Sequence, residues 1–153
     1  MRFDSFARVK PEWIDHNGHM NVAYYVLAFD QGIDLLWDEL GLGPAYRARG
    51  LTTFAAETWE AYRRELMVGA PISLQATIMA HDEKRLLVRG QLFHAEEGFL
   101  SAETEGLFLS VSLTERRVSP WPADISANFT SFQAAWPDAT PPQRLALKPR
   151  PPT

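Results

Sequence analysis

The longest regular pattern of apolar positions in the chain runs from residue 21 to residue 40. Apolar side chains recur there at helical spacing, and polar residues, several of them aspartates, fill the positions between them. Further apolar residues outside this stripe predict a helix that is buried on most sides. Asn21 can cap the start of the helix, and Gly41 can end it in a left-handed conformation.

A different pattern, the alternation of apolar and polar residues, follows this helix. It predicts strands over residues 52–64, 71–80, 84–94 and 100–113, with a further short strand near the start of the chain over residues 3–9. Short polar or glycine-containing turns separate the later strands, so these strands are predicted to pair antiparallel. Residues 126–136 are predicted to form a short amphipathic helix.

One long helix followed by a run of antiparallel strands predicts an α+β fold in which the sheet wraps around the central helix. The 153 residues suit one domain, which we assign to residues 1–136. Residues 137–153 form a tail in which six of 17 residues are proline, and the tail is predicted to be extended. An open sheet leaves an unpaired edge, which predicts a homodimer or homotetramer.

Composition narrows the classes of partner and location. The net charge of −4 argues against a general nucleic-acid binder. No apolar run approaches the roughly 18 residues that a membrane span needs, and no signal peptide is recognisable at the start, so no membrane partner is predicted. The chain has no cysteine, which excludes a thiolate nucleophile and suits the cytoplasm.

A polar cluster directly precedes the long helix. Asp15, Asn17, His19 and Asn21 are spaced two residues apart, so in an extended stretch they would project to one side. Gly18 permits a sharp bend among them. The start of a helix favours negative charge, so a carboxylate, an amide and an imidazole at this position are the parts needed to hydrolyse an acyl compound.

Alternative interpretations of this cluster are simpler. Asn and Asp before a helix most often act as caps and turn formers. His16 and His19 could suggest a metal pair, but no third ligand lies nearby in the sequence, so no metal is predicted. The chain also lacks a GxSxG elbow, a P-loop and a GxGxxG motif, and no cofactor is predicted.

The segment from residue 9 to residue 25 resembles the signature of the 4-hydroxybenzoyl-CoA thioesterase-like branch of the hotdog superfamily. Asp15, Gly18 and Tyr24 match positions of that signature. The form Asp-x-Asn-x-His-x-Asn is also similar to the motif of the plant acyl-ACP thioesterases, in which the Asp, Asn and His are assigned to catalysis. Residues 57–69 resemble the second strand of the family, which typically ends in Tyr-x-Arg-x-Leu-x-x-Gly.

The resemblance implies a hotdog fold and an acyl-CoA thioesterase, with acyl-CoA as the substrate. It implies that Asp15 acts as nucleophile or general base, and that Glu57 is a second carboxylate at a position where related enzymes carry a catalytic acid. The residues assigned to catalysis are Asp15, Asn17, His19 and Glu57, and those assigned to substrate binding are Trp13, Gly18, Asn21, Tyr24 and Trp59.

Three stretches narrow the resemblance within this branch: Trp-Ile-Asp-x-Asn-Gly-His-Met-Asn at residues 13–21, Tyr-Tyr-Val-Leu at residues 24–27 and Phe-Asp-Gln at residues 29–31. With them the sequence most resembles the betainyl-CoA thioesterases of carnitine breakdown. Aromatic faces recognise a trimethylammonium group, and Trp13 and Tyr24 flank the polar cluster. The alternative is that these aromatic residues belong to the core.

Two other functions remain open from the sequence. The (R)-specific hotdog hydratases resemble Asp-x-Asn-Pro-x-His, whereas Gly18 follows Asn17 here and His19 comes four residues after Asp15. This departure favours hydrolysis over hydration or dehydration. A non-catalytic hotdog protein that binds acyl-CoA is the second alternative, and only a measurement of activity excludes it.

Overall fold

An antiparallel sheet curls around one long helix in the computed structural model, which describes residues 1–148. The helices are α1 (Val22–Leu40), α2 (Pro44–Ala48) and α3 (Ala123–Ala135), and a 3-10 turn spans Pro11–Trp13. The strands are β1 (Arg2–Arg8), β2 (Leu51–Tyr62), β3 (Pro71–His81), β4 (Arg85–His94), β5 (Leu100–Ser112) and β6 (Arg117–Val118). The α+β arrangement predicted from the sequence is confirmed.

The strand order is β1-β3-β4-β5-β2, with the short β6 paired to β5, and every pairing is antiparallel. Strand β2 therefore lies at an edge of the sheet. A register shift between Ala55 and Glu57 marks a bulge in this strand. Because a bulge inserts an extra residue, it changes which side chains of β2 face outward, and Glu57 shares a face with its partner Leu107.

Helix α1 begins and ends where the sequence predicts. The Asn21 side chain accepts a hydrogen bond of 3.0 Å from the Ala23 N–H, and Gly41 closes the helix with φ of 77°. One face of α1 packs against the inner face of the sheet. The opposite face is exposed, with Val22 at 56% and Val26 at 44%. The expectation of a helix buried on most sides is wrong for the single chain, because the sheet covers one side of it.

Residues 137–148 form an extended segment, here called the C-terminal strap, that crosses the outer face of the sheet. The Asp138 carboxylate accepts a hydrogen bond of 2.7 Å from Arg89, which also donates to the carbonyls of Thr140 and Pro141. The predicted tail continues to residue 153, and its last five residues lie outside the described part of the chain.

A buried carboxylate holds the second half of the strap. Glu105 is 1% exposed and accepts hydrogen bonds from the backbone N–H groups of residues 143, 144 and 145. Burial alone raises the pKa of Glu105, but these three hydrogen bonds and the nearby charge of Arg89 outweigh it, so the pKa lies below its usual value. The strap thus covers charged residues that the alternation pattern would leave in solvent.

Candidate active site

The polar cluster forms a tight turn between two short bridged segments. Ile14 and Met20 pair as an antiparallel bridge, and the Asp15 N–H donates to the His19 carbonyl at 2.9 Å. Gly18 has φ of 82°, a left-handed conformation that glycine adopts without strain. The stretch is therefore not extended, and the two-residue spacing of the cluster does not place its side chains on one side.

Backbone donors surround the Asp15 carboxylate. Its Oδ1 accepts from the Asn17 N–H at 2.8 Å and from the His19 N–H at 3.4 Å. The first of these hydrogen bonds is the largest cause of a lowered pKa for Asp15, burial opposes it, and the His19 N–H adds to it. Asp15 is consequently ionised at neutral pH.

The start of α1 supplies a donor beside this carboxylate. The side chain of Asn21 occupies the Ala23 N–H, and the Tyr24 N–H donates to the Asn21 carbonyl at 3.0 Å. Among residues 1–148 the Val22 N–H has no hydrogen-bond partner, so it is the first-turn donor that remains for a substrate oxygen. Asn21 therefore acts as a helix cap that leaves one amide free.

Asp15 and Val22 line an open cleft of about 360 Å³. His19, Tyr25, Tyr62 and Glu65 line the same cleft, together with Met20, Arg63 and Arg64. The rings of Tyr25 and Tyr62 meet edge to face with centroids 5.2 Å apart. The cleft thus combines a carboxylate, an imidazole, a free amide and two phenol rings.

The other predicted residues lie around the cleft rather than in its lining. Asn17 and Gly18 are exposed, and Asn17 contacts Asp15 through its backbone N–H. Trp13 is 3% exposed and stacks on Tyr24 with ring centroids 5.6 Å apart. This stacked pair joins the residue before the Asp15 turn to the first turn of α1.

Glu57 and Trp59 lie farther away within the single chain. Both belong to the edge strand β2, on the face that carries Leu107 and Glu105. Glu57 is exposed, and Arg144 of the strap lies 5.9 Å from the centroid of the Trp59 ring. Five residue steps along the extended strand separate Glu57 from Tyr62, which lines the cleft, a distance of roughly 17 Å. The structure does not bring Glu57 to Asp15 within one chain.

Sequence reasoning missed Glu65 and Tyr62. Both lie in the segment that resembles the Tyr-x-Arg-x-Leu-x-x-Gly ending of the family strand, and this segment returns to the cleft. The His19 Nε2 and a Glu65 carboxylate oxygen are 3.1 Å apart. The resemblance of that segment was the signal that could have directed attention to these two residues.

Other cavities have less suitable chemistry for acyl transfer. One of about 470 Å³ between α1 and β2 is lined by three aspartates of α1. Burial, together with the like charges of Asp30 and Asp38, raises the pKa of Asp34. Among residues 1–148, no three His, Asp or Glu side chains come together as they would around a metal ion. In the same part of the chain, no helix is long and apolar enough to cross a membrane.

Comparison of the sequence with known proteins gives consistent likenesses. A family model described as the thioesterase-like superfamily matches residues 9–129. Betainyl-CoA thioesterase of Pseudomonas aeruginosa is 32% identical over 128 residues, which are 83% of this chain and 80% of that protein. L-carnitine dehydrogenase/betainyl-CoA thioesterase of Agrobacterium fabrum is 29% identical over 116 residues, which are 76% of this chain and 24% of that longer protein.

The fold is similar to that of a hypothetical protein from Staphylococcus aureus solved in complex with CoA. The TM-score is 0.82 and the sequence identity 28%, with 95% of this chain and 92% of that chain covered. The two structures are therefore alike over almost the whole chain, including the sheet and the long helix.

Proposed function

Because the chain belongs to the thioesterase-like superfamily and is an acyl-CoA thioesterase, we propose that Asp15 carries the hydrolysis and that betainyl-CoA is the substrate. The family membership also confirms the hotdog fold that the sequence motif implied. The observation that carries the assignment of Asp15 is its ionised carboxylate in one cleft with the free Val22 N–H.

The reaction follows from these two groups. The Val22 N–H, at the positive end of α1, binds the thioester oxygen as negative charge develops on it. Asp15 either attacks the carbonyl carbon, giving an anhydride that water then hydrolyses, or takes a proton from a water that attacks. In both routes the C–S bond breaks and CoA leaves as a thiolate, so a strong general acid is not required. His19 orients the water or the substrate.

The short betainyl group restricts where its cationic head can bind. One methylene separates the trimethylammonium from the carbonyl, so the head must lie close to Asp15. Tyr62 is 47% exposed and lines that region with Tyr25. The exposed aromatic face for a cation is therefore that of Tyr62, which the buried Tyr25 ring contacts edge to face, whereas Trp13 is buried against Tyr24.

The neighbouring arginines do not oppose a cationic head strongly. Arg63 forms an ion pair with Glu103, and Arg64 lies 3.7 Å from Glu97 while its guanidinium covers the Phe99 ring. Glu65 adds a negative charge to the cleft. The local charge is thus compatible with a trimethylammonium group.

Betainyl-CoA should be hydrolysed about 30-fold more efficiently than its neutral carbon analogue, 3,3-dimethylbutanoyl-CoA, as expected for a desolvated cation–π contact of about 2 kcal/mol. The substitution Tyr62→Leu should narrow this ratio and spare the neutral substrate. The measurement is kcat/KM for both substrates with both proteins.

Trp136→Leu is the matched control, because Trp136 is an exposed aromatic residue outside the cleft. It should leave the ratio unchanged. Equal rates of the wild type on both substrates would overturn betainyl-CoA as the substrate and leave the thioesterase activity standing.

Two surfaces support the proposal of a homodimer. No strand of the described residues pairs with the outer edge of β2, and the exposed face of α1 carries Val22, Val26 and Leu27. A second copy would pair the edge and cover the apolar residues. The location in the cytoplasm stays a prediction from the sequence.

Light scattering at micromolar concentration should give the mass of two or four chains. Val26→Glu, which places a charge on the exposed face of α1, should shift the mass toward one chain. Leu113→Glu, at an exposed apolar residue outside that face, should not shift it. A monomeric wild type would contradict the proposed assembly.

A further inference from the structure

A second carboxylate reaches the cleft from the segment that follows β2. The Oε2 of Glu65 lies 3.1 Å from the Nε2 of His19, and both residues line the cleft with Asp15. We propose that Glu65 is a positioning residue that holds the His19 imidazole for the hydrolysis. This inference rests on the proposed function of the cleft and adds to it a group that the sequence motif does not include.

The position of Glu65 is fixed by the residue that follows it. Leu66 is fully buried, and its carbonyl accepts from the Met20 N–H at 3.1 Å. Its own N–H donates to the Tyr25 hydroxyl at 3.1 Å. One residue is thereby bonded to the catalytic turn and to α1 at once. The backbone of Glu65 is thereby held beside the turn, and its exposed side chain reaches His19 from there.

The contact favours one tautomer of His19. A neutral imidazole has one donor nitrogen and one acceptor nitrogen. A carboxylate oxygen 3.1 Å from Nε2 favours the proton on Nε2, which leaves the acceptor lone pair on Nδ1. The backbone N–H of His19 also donates to Asp15 at 3.4 Å, so Glu65, His19 and Asp15 form a connected chain of contacts.

A double-mutant cycle tests this role. Glu65→Ala should lower kcat by about 10-fold, a part of the roughly 100-fold or more that a positioned acid–base group supplies. KM should stay within about two-fold, because the contact acts on the reacting geometry rather than on substrate binding. Glu65→Gln, which keeps an acceptor oxygen, should restore most of kcat. In a His19→Ala background, Glu65→Ala should cause no further loss.

A matched control for the loss of an exposed, paired carboxylate lies away from the cleft. Glu115 forms an exposed ion pair with Arg117, neither residue lines the cleft, and Glu115→Ala should leave kcat unchanged. A kcat loss of the same size for Glu65→Ala with and without His19 would overturn the proposal, as would a wild-type kcat in the single variant. If His19→Ala alone kept full activity, the proposed role of His19 would fail instead, and the assignment of Glu65 with it.

Discussion

Replacement of Asp15 by asparagine should lower kcat by about 100-fold or more, the usual contribution of a positioned acid–base group. Asparagine keeps an oxygen that can accept the hydrogen bonds from the Asn17 and His19 N–H groups, so the turn should remain folded. The negative charge is removed, and with it the ability to attack the thioester or to deprotonate water. The measurement is kcat on an acyl-CoA that the wild type hydrolyses, together with the melting temperature.

Glu12→Gln serves as the control for loss of a carboxylate, because Glu12 is exposed just before the same turn and does not line the cleft. It should keep the wild-type rate. A rate near wild type in Asp15→Asn would remove Asp15 from the mechanism. An Asp15→Asn protein with a strongly lowered melting temperature would instead assign the residue to stability.

Removal of the Glu105 carboxylate should lower the free energy of unfolding by about 3 kcal/mol, the size expected when one partner of a buried charged pair is lost. Glu105→Ala leaves three backbone N–H groups of the strap without an acceptor, and leaves Arg89 with Asp138 as its remaining carboxylate partner. Urea unfolding at neutral pH measures the change.

The effect should depend on pH in a defined direction. The folded-state pKa of Glu105 lies below the ordinary value of 4.5, so the stabilisation is complete above that pH and is lost as the pH falls through the folded-state pKa. The difference between Glu105→Ala and wild type should therefore shrink in acid. Glu115→Ala, which removes an exposed ion pair with Arg117, should stay within about 0.5 kcal/mol of wild type. An equally small change for Glu105→Ala would contradict the buried role.

Much of the fold could be predicted because its elements follow simple periodicities. The helical stripe, the Asn21 cap and Gly41 bound α1 within one residue, and the four long strands begin and end within two residues of their predicted positions. The alternation in β4 correctly places Leu86, Val88 and Leu92 on one buried face. Helix α2 was not predicted, because five residues are too few to show a helical period.

Burial on the outer face of the sheet could not be predicted in the same way. Arg89 and Glu105 are paired across β4 and β5, on the face opposite to Val88, and charged residues on such a face normally point to solvent. They are buried because a distant segment, the strap, crosses them. A local pattern carries no information about that contact.

The residues of the candidate site also differ in whether a local sequence pattern could predict them. Asp15 and His19 share one short motif, and the sequence predicts both. Glu65 reaches His19 through contacts between segments far apart in the chain, and its importance depends on how Leu66 is anchored. Glu57 was preferred as the second carboxylate by resemblance, and its role stays a prediction.

The C-terminal strap has a consequence for which substitutions its sequence can tolerate. Glu105 binds residues 143–145 through their main-chain N–H groups, so any side chain except proline preserves the three donors. Arg89, by contrast, needs acceptors, and the carbonyl of Pro141 supplies one at 2.8 Å, since a carbonyl is the polar group that proline retains. Proline is thus compatible with position 141, whose carbonyl accepts a hydrogen bond from Arg89. It is incompatible with residues 143–145, whose N–H groups donate hydrogen bonds to Glu105. The chain follows this rule: Pro141 and Pro142 precede the donors, and Gln143, Arg144 and Leu145 provide them.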